Sequence, residues 1–112
     1  MGDKRGGRRF RKRFTVRFGA PEPNRLAFSE DIHGSGMFIK TTNIVPPGNI
    51  ILVSFTLPDG NEVLCEAQVI WAKKVPPQVI HLVNKSGMGV RFLRVIKGET
   101  PFADYCRELS IR

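Results

Sequence analysis

The sequence predicts a small all-β domain, an antiparallel barrel or sandwich, that ends in one α-helix. Three observations support this fold class: short segments alternate apolar and polar residues, turn-forming residues separate them at close spacing, and the last segment changes to the helical period. At 112 residues the chain has the length of one domain. We therefore expect a flexible basic arm at residues 1–8 and a single domain over residues 9–112.

The alternation of apolar and polar residues predicts where the strands lie. Two of these strands have a clear apolar face, which suits a sheet that is buried on one side. One face is formed by Ile51, Val53, Phe55 and Leu57, the other by Val63, Cys65, Ala67, Val69 and Trp71. Between these two strands, Asp59-Gly60 is a strong hairpin signal. We expect strands at residues 14–18, 25–32, 37–41, 50–57, 62–72 and 88–93.

The connection over residues 73–86 contains two prolines and then an apolar run at residues 79–83. The run fits either an additional edge strand or a loop packed on the core. If it is exposed, it is a surface for a protein partner.

The closing helix is predicted over residues 101–110. Thr100 can cap its N-terminus, and Pro101 then occupies the first helical position, which favours proline. One apolar stripe follows the helical spacing, and we expect it to cover an opening of the barrel. The stripe is formed by Phe102, Tyr105, Cys106 and Leu109.

The positive charge is concentrated at the N-terminus. The chain has a net charge of +8, and residues 1–17 hold eight basic residues against one acidic residue. Such an arm suits a polyanionic partner, which can be a phosphorylated ligand, a nucleic acid or an anionic surface. A solvated tail that only aids solubility is the alternative.

Several functional classes lack their sequence signals. No apolar run reaches the roughly 20 residues of a membrane span, and the basic N-terminus is not followed by the apolar stretch of a signal peptide, so we expect a cytoplasmic protein. Cys65 and Cys106 are too few for a disulfide scaffold, and with His33 and His81 they are too scattered for a zinc site, so we expect reduced cysteines and no metal. No catalytic motif is present, and we expect no enzymatic activity.

The first candidate binding motif is the pair Arg9 and Arg13, spaced RxxxR just before the first strand. A guanidinium group binds phosphate bidentately and can also bind the O6 and N7 edge of guanine. The spacing alone is weak evidence, because basic nucleic-acid-binding arms contain it by chance.

The second candidate motif runs from Asp31 to Gly36. A carboxylate at a strand end can accept hydrogen bonds from the N1–H and N2–H groups of guanine, and glycines let a flat base approach the backbone. The same residues also fit a simple tight turn.

Together the two motifs resemble the signature of PilZ domains, RxxxR followed after roughly 20–30 residues by [D/N]xSxxG. Further segments resemble PilZ strands in the same order, so the resemblance covers about residues 8–95. These segments are GMFIKT at 36–41, LPDG at 57–60, EAQVIWA at 66–72 and GMGVRFL at 87–93.

The resemblance implies a six-stranded antiparallel split β-barrel with a C-terminal helix. It also implies that the chain binds the bacterial second messenger cyclic di-GMP on the barrel surface, beneath the N-terminal arm. Arg9 and Arg13 would then bind phosphates and guanine edges, while Asp31 and Gly36 would line the other side of a guanine. No other cofactor is implied.

Two residues modify this expectation. His33 stands where the motif has serine, and its larger imidazole either replaces the hydroxyl contact or blocks the pocket. Arg8, directly before the RxxxR motif, adds a further guanidinium group, which would favour two intercalated cyclic di-GMP molecules over one.

We therefore expect a cyclic di-GMP receptor that changes its contacts with a protein partner when the ligand binds. Two alternatives are a PilZ-like interaction module that has lost ligand binding and a basic barrel that binds nucleic acid. For the latter, Phe10, Phe14 and Phe18 would stack on bases, but Phe14 and Phe18 share one face of a strand, which favours a core role.

Overall fold

A computed structural model describes residues 14–74 and 86–111, with only the backbone for residues 30, 31 and 109–111. Six antiparallel strands form a closed barrel, and one helix follows them, as the sequence predicts. The elements are β1 Phe14–Gly19, β2 Arg25–His33, β3 Gly36–Lys40, β4 Ile50–Thr56, β5 Glu62–Lys73, β6 Gly87–Lys97 and α1 Glu99–Ile111. Around the barrel the strand order is β1-β2-β3-β6-β5-β4, and β4 pairs with β1 to close it. The apolar run at 79–83 lies outside the described residues.

The core follows from the two-residue period of the strands. Ile51, Val53 and Phe55 of β4 are buried, and so are Val63 and the alternate residues up to Val69 of β5. Because β4 and β5 pair in register through the Asp59-Gly60 hairpin, the two apolar faces meet inside the barrel.

Trp71 departs from the predicted face. The alternation places it with Val69, but the register between β5 and β6 shifts between the two residues, so that Val69 pairs with Val90 and Trp71 with Gly89. The shift inserts Ile70 as a bulge and turns the next side chain outward. The side chain of Trp71 is consequently 47% exposed on the outer surface.

β6 is longer than the sequence predicts. The predicted strand ends at Leu93, whereas the observed one continues to Lys97 and stays paired with β5. Two ion pairs cross the extended part: Arg94 Nε lies 3.5 Å from Glu66 Oε1, and Lys97 Nζ lies 3.2 Å from Glu62 Oε1. The cross-strand pairs that support the extension are not visible in the local sequence pattern.

The helix begins earlier than predicted. Gly98 has a φ of +82°, a conformation that favours glycine, and its carbonyl accepts a hydrogen bond from the Phe102 N–H at 3.0 Å. Gly98 therefore takes the capping position that the sequence assigned to Thr100. Pro101 lies within the first turn, where a missing N–H costs little.

The helix covers one end of the barrel, as predicted from its apolar stripe. Phe102 makes edge-to-face contacts with Phe55 and Phe92, and Tyr105 makes one with Phe14. These partners lie in β1, β4 and β6, so one helix face packs against three strands. In the described part of the chain, no helix combines the length and apolar character of a membrane span.

Cys65 and Cys106 are not joined to each other by a disulfide. Cys65 is fully buried between β4 and β6, and burial raises its pKa to about 12. Cys106 is half-buried in α1 and packs against the core.

β3 and β6 approach each other closely at Gly36. Gly36 pairs with Arg91, and a Cβ atom added to it would overlap the backbone carbonyl oxygen of Val90. By contrast, a Cβ atom at Gly34 would meet only Cys106, at 3.9 Å from Sγ and 4.0 Å from Cβ, which is ordinary contact.

We expect Gly36→Ala to lower the free energy of unfolding by about 1–3 kcal/mol, because backbone atoms must move to admit the methyl group. Gly34→Ala is the matched control and should cause no loss of stability. Urea unfolding followed by circular dichroism measures both. Equal stability of the two variants would contradict this account of the β3–β6 contact.

Candidate ligand-binding site

The predicted site residues fall into two groups. Arg8, Arg9 and Arg13 lie outside the described residues, so their roles remain predictions. The other three belong to one hairpin: Asp31 and His33 lie at the end of β2, and Gly36 begins β3.

The hairpin has a two-residue turn, Gly34-Ser35, as the glycine-rich sequence predicts. His33 pairs with Gly36, and the backbone of Asp31 pairs with that of Phe38. The Phe92 N–H donates a 2.9 Å hydrogen bond to the Ser35 carbonyl, which fixes the turn against β6. All of the motif from Asp31 to Gly36 is therefore held at the same end of the barrel.

His33 is exposed and has a hydroxyl group beside it. Its Nδ1 is hydrogen-bonded to the Ser35 Oγ at 3.0 Å. The hydroxyl that the motif has at position 33 is thus present two residues later, in contact with the imidazole that replaces it. The turn offers a ligand both groups.

Gly36 has a structural role besides the predicted one. The sequence suggests that this glycine lets a base approach the backbone, and the overlap with Val90 indicates that the strands themselves also require it. Loss of binding in a Gly36 variant would therefore not by itself identify a ligand contact.

Arg91 is a candidate residue that the sequence analysis missed. It is exposed, pairs with Gly36 across β3 and β6, and its Nη2 donates a 3.2 Å hydrogen bond to Gln68 Oε1. Farther along β6, Arg94 and Lys97 face carboxylates, whereas Arg91 binds a neutral amide. The alternation of GMGVRFL does place Arg91 outward, but only the strand register places it beside Gly36.

An aromatic pair, Phe38 and Trp71, lies on the same outer surface. Their ring centroids are 5.4 Å apart and their planes are inclined by 19°, a stacked arrangement. Both residues pair with Gly89 of β6, from opposite sides. Phe38 also pairs with Asp31, so these four backbone positions form one row across β2, β3, β6 and β5.

This surface combines groups that suit a planar, anionic ligand. Arg91 supplies a cation, Gln68 and the His33–Ser35 pair supply donors and acceptors, and the aromatic pair supplies flat apolar area. Within residues 14–74 and 86–111, no cluster of three or more His, Cys, Asp and Glu residues could hold a metal ion.

An open depression of about 570 Å³ lies on the other side of the barrel, along the pair β1 and β4. Neither His33 nor Gly36 is among the described residues that line it. Its lining is formed by Phe14, Thr15, Arg17, Ser54, Phe55, Thr56, Pro58 and Glu62. Among these described residues Arg17 supplies the positive charge, and Glu62 is paired with Lys97.

Comparison with known proteins supports the family resemblance. The family model described as PilZ domain matches residues 3–105, nearly the whole chain, including both candidate motifs. No curated protein and no solved structure matches the chain. PilZ domains are ligand-binding and effector domains rather than catalytic ones. On this match, and with the barrel and hairpin described above, the chain belongs to the PilZ domain family.

Proposed function

We propose that this PilZ domain is a receptor for cyclic di-GMP, which binds on the outer surface of the barrel at the β2–β3 hairpin. The observation that carries the proposal is family membership together with the signature residues Arg9, Arg13, Asp31 and Gly36 at the family's spacing. Binding would change the surface that the domain presents to a protein partner.

Each signature residue has a chemical role in this proposal. Arg9 and Arg13 bind phosphate oxygens and the O6 and N7 edge of a guanine bidentately. The Asp31 carboxylate accepts hydrogen bonds from the N1–H and N2–H groups of guanine. Arg8 adds a guanidinium group that favours two intercalated ligand molecules, a stoichiometry that calorimetry measures directly.

Arg91 extends the cationic part of the proposed site. Cyclic di-GMP carries two phosphates, and the Arg91 guanidinium lies beside Gly36, hydrogen-bonded to the neutral amide of Gln68. In this proposal a phosphate oxygen binds the guanidinium in place of that amide oxygen.

The replacement of serine by His33 is compatible with binding. The imidazole is exposed, and the Ser35 hydroxyl lies 3.0 Å from it. The turn can therefore offer a hydroxyl donor from Ser35, while the imidazole offers a planar face or a nitrogen.

Arg9→Ala and Arg13→Ala should each weaken cyclic di-GMP binding at least about tenfold, because charge-assisted bidentate contacts are worth on the order of 1.5–3 kcal/mol. Isothermal titration calorimetry measures the affinity. Arg25→Ala is the control, because Arg25 begins β2 at the end remote from the hairpin. Unchanged affinity in both arginine variants would rule out the proposed site, and displacement by excess single-stranded RNA would favour a nucleic-acid-binding function.

Arg91→Ala should weaken cyclic di-GMP binding about tenfold, the effect of losing one hydrogen bond to a charged group. Arg94→Ala is a matched control, since Arg94 lies three residues farther along the same strand and is paired with Glu66. The same titrations compare the two variants. If both lose the same affinity, the effect is general electrostatics rather than a contact at Arg91.

His33→Ser should bind cyclic di-GMP within about threefold of the wild-type affinity, because each version of the turn offers a hydroxyl group. Calorimetry on the two proteins provides the comparison. A wild-type protein that fails to bind while His33→Ser binds would mean that the imidazole blocks the pocket and that this chain has lost the ligand.

A further inference from the structure

Two apolar side chains occupy neighbouring positions on the outer face of β2, where strand alternation usually leaves polar groups. Leu26 is 56% exposed and Phe28 is 38% exposed, whereas the alternate residues Ala27 and Ser29 are buried in the barrel. A single exposed apolar residue is ordinary on a protein surface, but two at adjacent positions of one face form a larger patch. We call Leu26 and Phe28 the β2 patch.

Arg17 lies beside the β2 patch on the neighbouring strand. It is exposed, and it pairs in register with Leu26 of β2 on one side and with Ser54 of β4 on the other. On the β5–β6 surface, by contrast, Arg94 and Lys97 each face a carboxylate across the strands. Strand pairing thus places Arg17 between uncharged neighbours, which suits contact with an anionic group from another molecule.

The depression along β1 and β4 adjoins the β2 patch through Arg17. Arg17 is one of its lining residues, and hydroxyl groups are supplied to the same lining by Thr15, Ser54 and Thr56. A guanidinium group and several hydroxyl groups can together donate hydrogen bonds to one carboxylate. The depression and the β2 patch therefore form one surface, with a polar hollow beside an apolar area.

A second cation borders the β2 patch on its other side. Lys40 of β3 pairs with Phe28, and Phe28 in turn pairs with Thr15 of β1. Residues that lie directly opposite each other in an antiparallel pair share one face of the sheet. The apolar patch thus has a basic residue on each flanking strand, an arrangement that complements apolar side chains accompanied by carboxylates.

We infer that this outer face of β1, β2 and β4 binds an acidic amphipathic segment of a protein partner. A carboxylate of the segment contacts Arg17 at the depression, and an apolar side chain packs on Leu26 and Phe28. In the strand order β1 is three strands away from β6, which carries Arg91 of the candidate ligand site. The inference therefore goes beyond the proposed function and does not depend on cyclic di-GMP binding.

The dimensions of the surface match a short segment. Leu26, Arg17 and Ser54 form one row across three strands, so the two outer backbones are about 10 Å apart at the usual strand spacing. In an extended segment, side chains on one side repeat about every 7 Å. A carboxylate and an apolar residue two positions apart can therefore reach the depression and the β2 patch together.

Two other anionic partners match this surface less well than a protein segment does. A lipid bilayer presents a broad surface that does not enter a hollow, whereas a single carboxylate side chain does. Single-stranded nucleic acid stacks its bases on flat rings, but Leu26, the more exposed member of the β2 patch, is aliphatic.

The test uses a fluorescein-labelled peptide that repeats Glu-Ser-Leu-Gly, with binding to the whole chain measured by fluorescence anisotropy. Arg17→Glu should weaken binding at least about tenfold, because a charge-assisted contact is replaced by repulsion. Leu26→Ser should weaken it about fivefold through the loss of apolar contact. Lys74→Glu, just after β5, and Leu93→Ser, at a residue 41% exposed on β6, are the matched controls and should bind like the wild type.

Two further peptides test the chemistry of the partner. A repeat of Lys-Ser-Leu-Gly should not bind, and a repeat of Glu-Ser-Ser-Gly should bind more weakly than the first peptide. Absence of binding by the Glu-Ser-Leu-Gly peptide, or equal losses in Arg17→Glu and Lys74→Glu, would overturn the inference. Sedimentation of the protein with phosphatidylglycerol vesicles that Arg17→Glu alone abolishes would also overturn it, because the surface would then bind a membrane. Urea unfolding checks that each variant keeps the wild-type fold.

Discussion

The pairing of β3 with β6 is the contact on which the rest of the structure depends. It joins segments about 50 residues apart in the chain and completes the ring of strands between β2 and β5. The approach is so close that Val90 leaves no room for a side chain at Gly36. Because of this pairing, the hairpin turn lies beside Arg91 and Phe38 lies beside Gly89.

Local patterns predicted the elements of the fold well because their causes are local. The period of two is enough to place β4 and β5 and to identify their buried faces, and the Asp59-Gly60 turn sets their register. The closing helix was also predictable from one apolar stripe. Its start was not, because Thr100 and Gly98 are both acceptable caps and the φ of +82° at Gly98 cannot be read from the sequence.

The candidate site was predictable only in part, for a related reason. The turn residues from Asp31 to Gly36 are contiguous, so their proximity is fixed by the chain itself. Arg91 and Trp71 join them through register across strands, which is non-local, and Trp71 also through a bulge that interrupts the alternation. A period-two pattern assigns such a residue to the wrong face.

One buried side chain, Cys65, makes the stability of the barrel depend on pH in alkaline solution. The buried Cys65 thiol keeps its proton until about pH 12, whereas the same thiol in an unfolded chain ionises near pH 9. Above pH 9 the unfolded state therefore releases a proton that the folded state retains, and the balance moves toward unfolding by up to about 1.4 kcal/mol for each further pH unit. The thiol buried between β4 and β6 thus lowers the stability of the folded barrel relative to the unfolded chain as the solution becomes more basic than about pH 9.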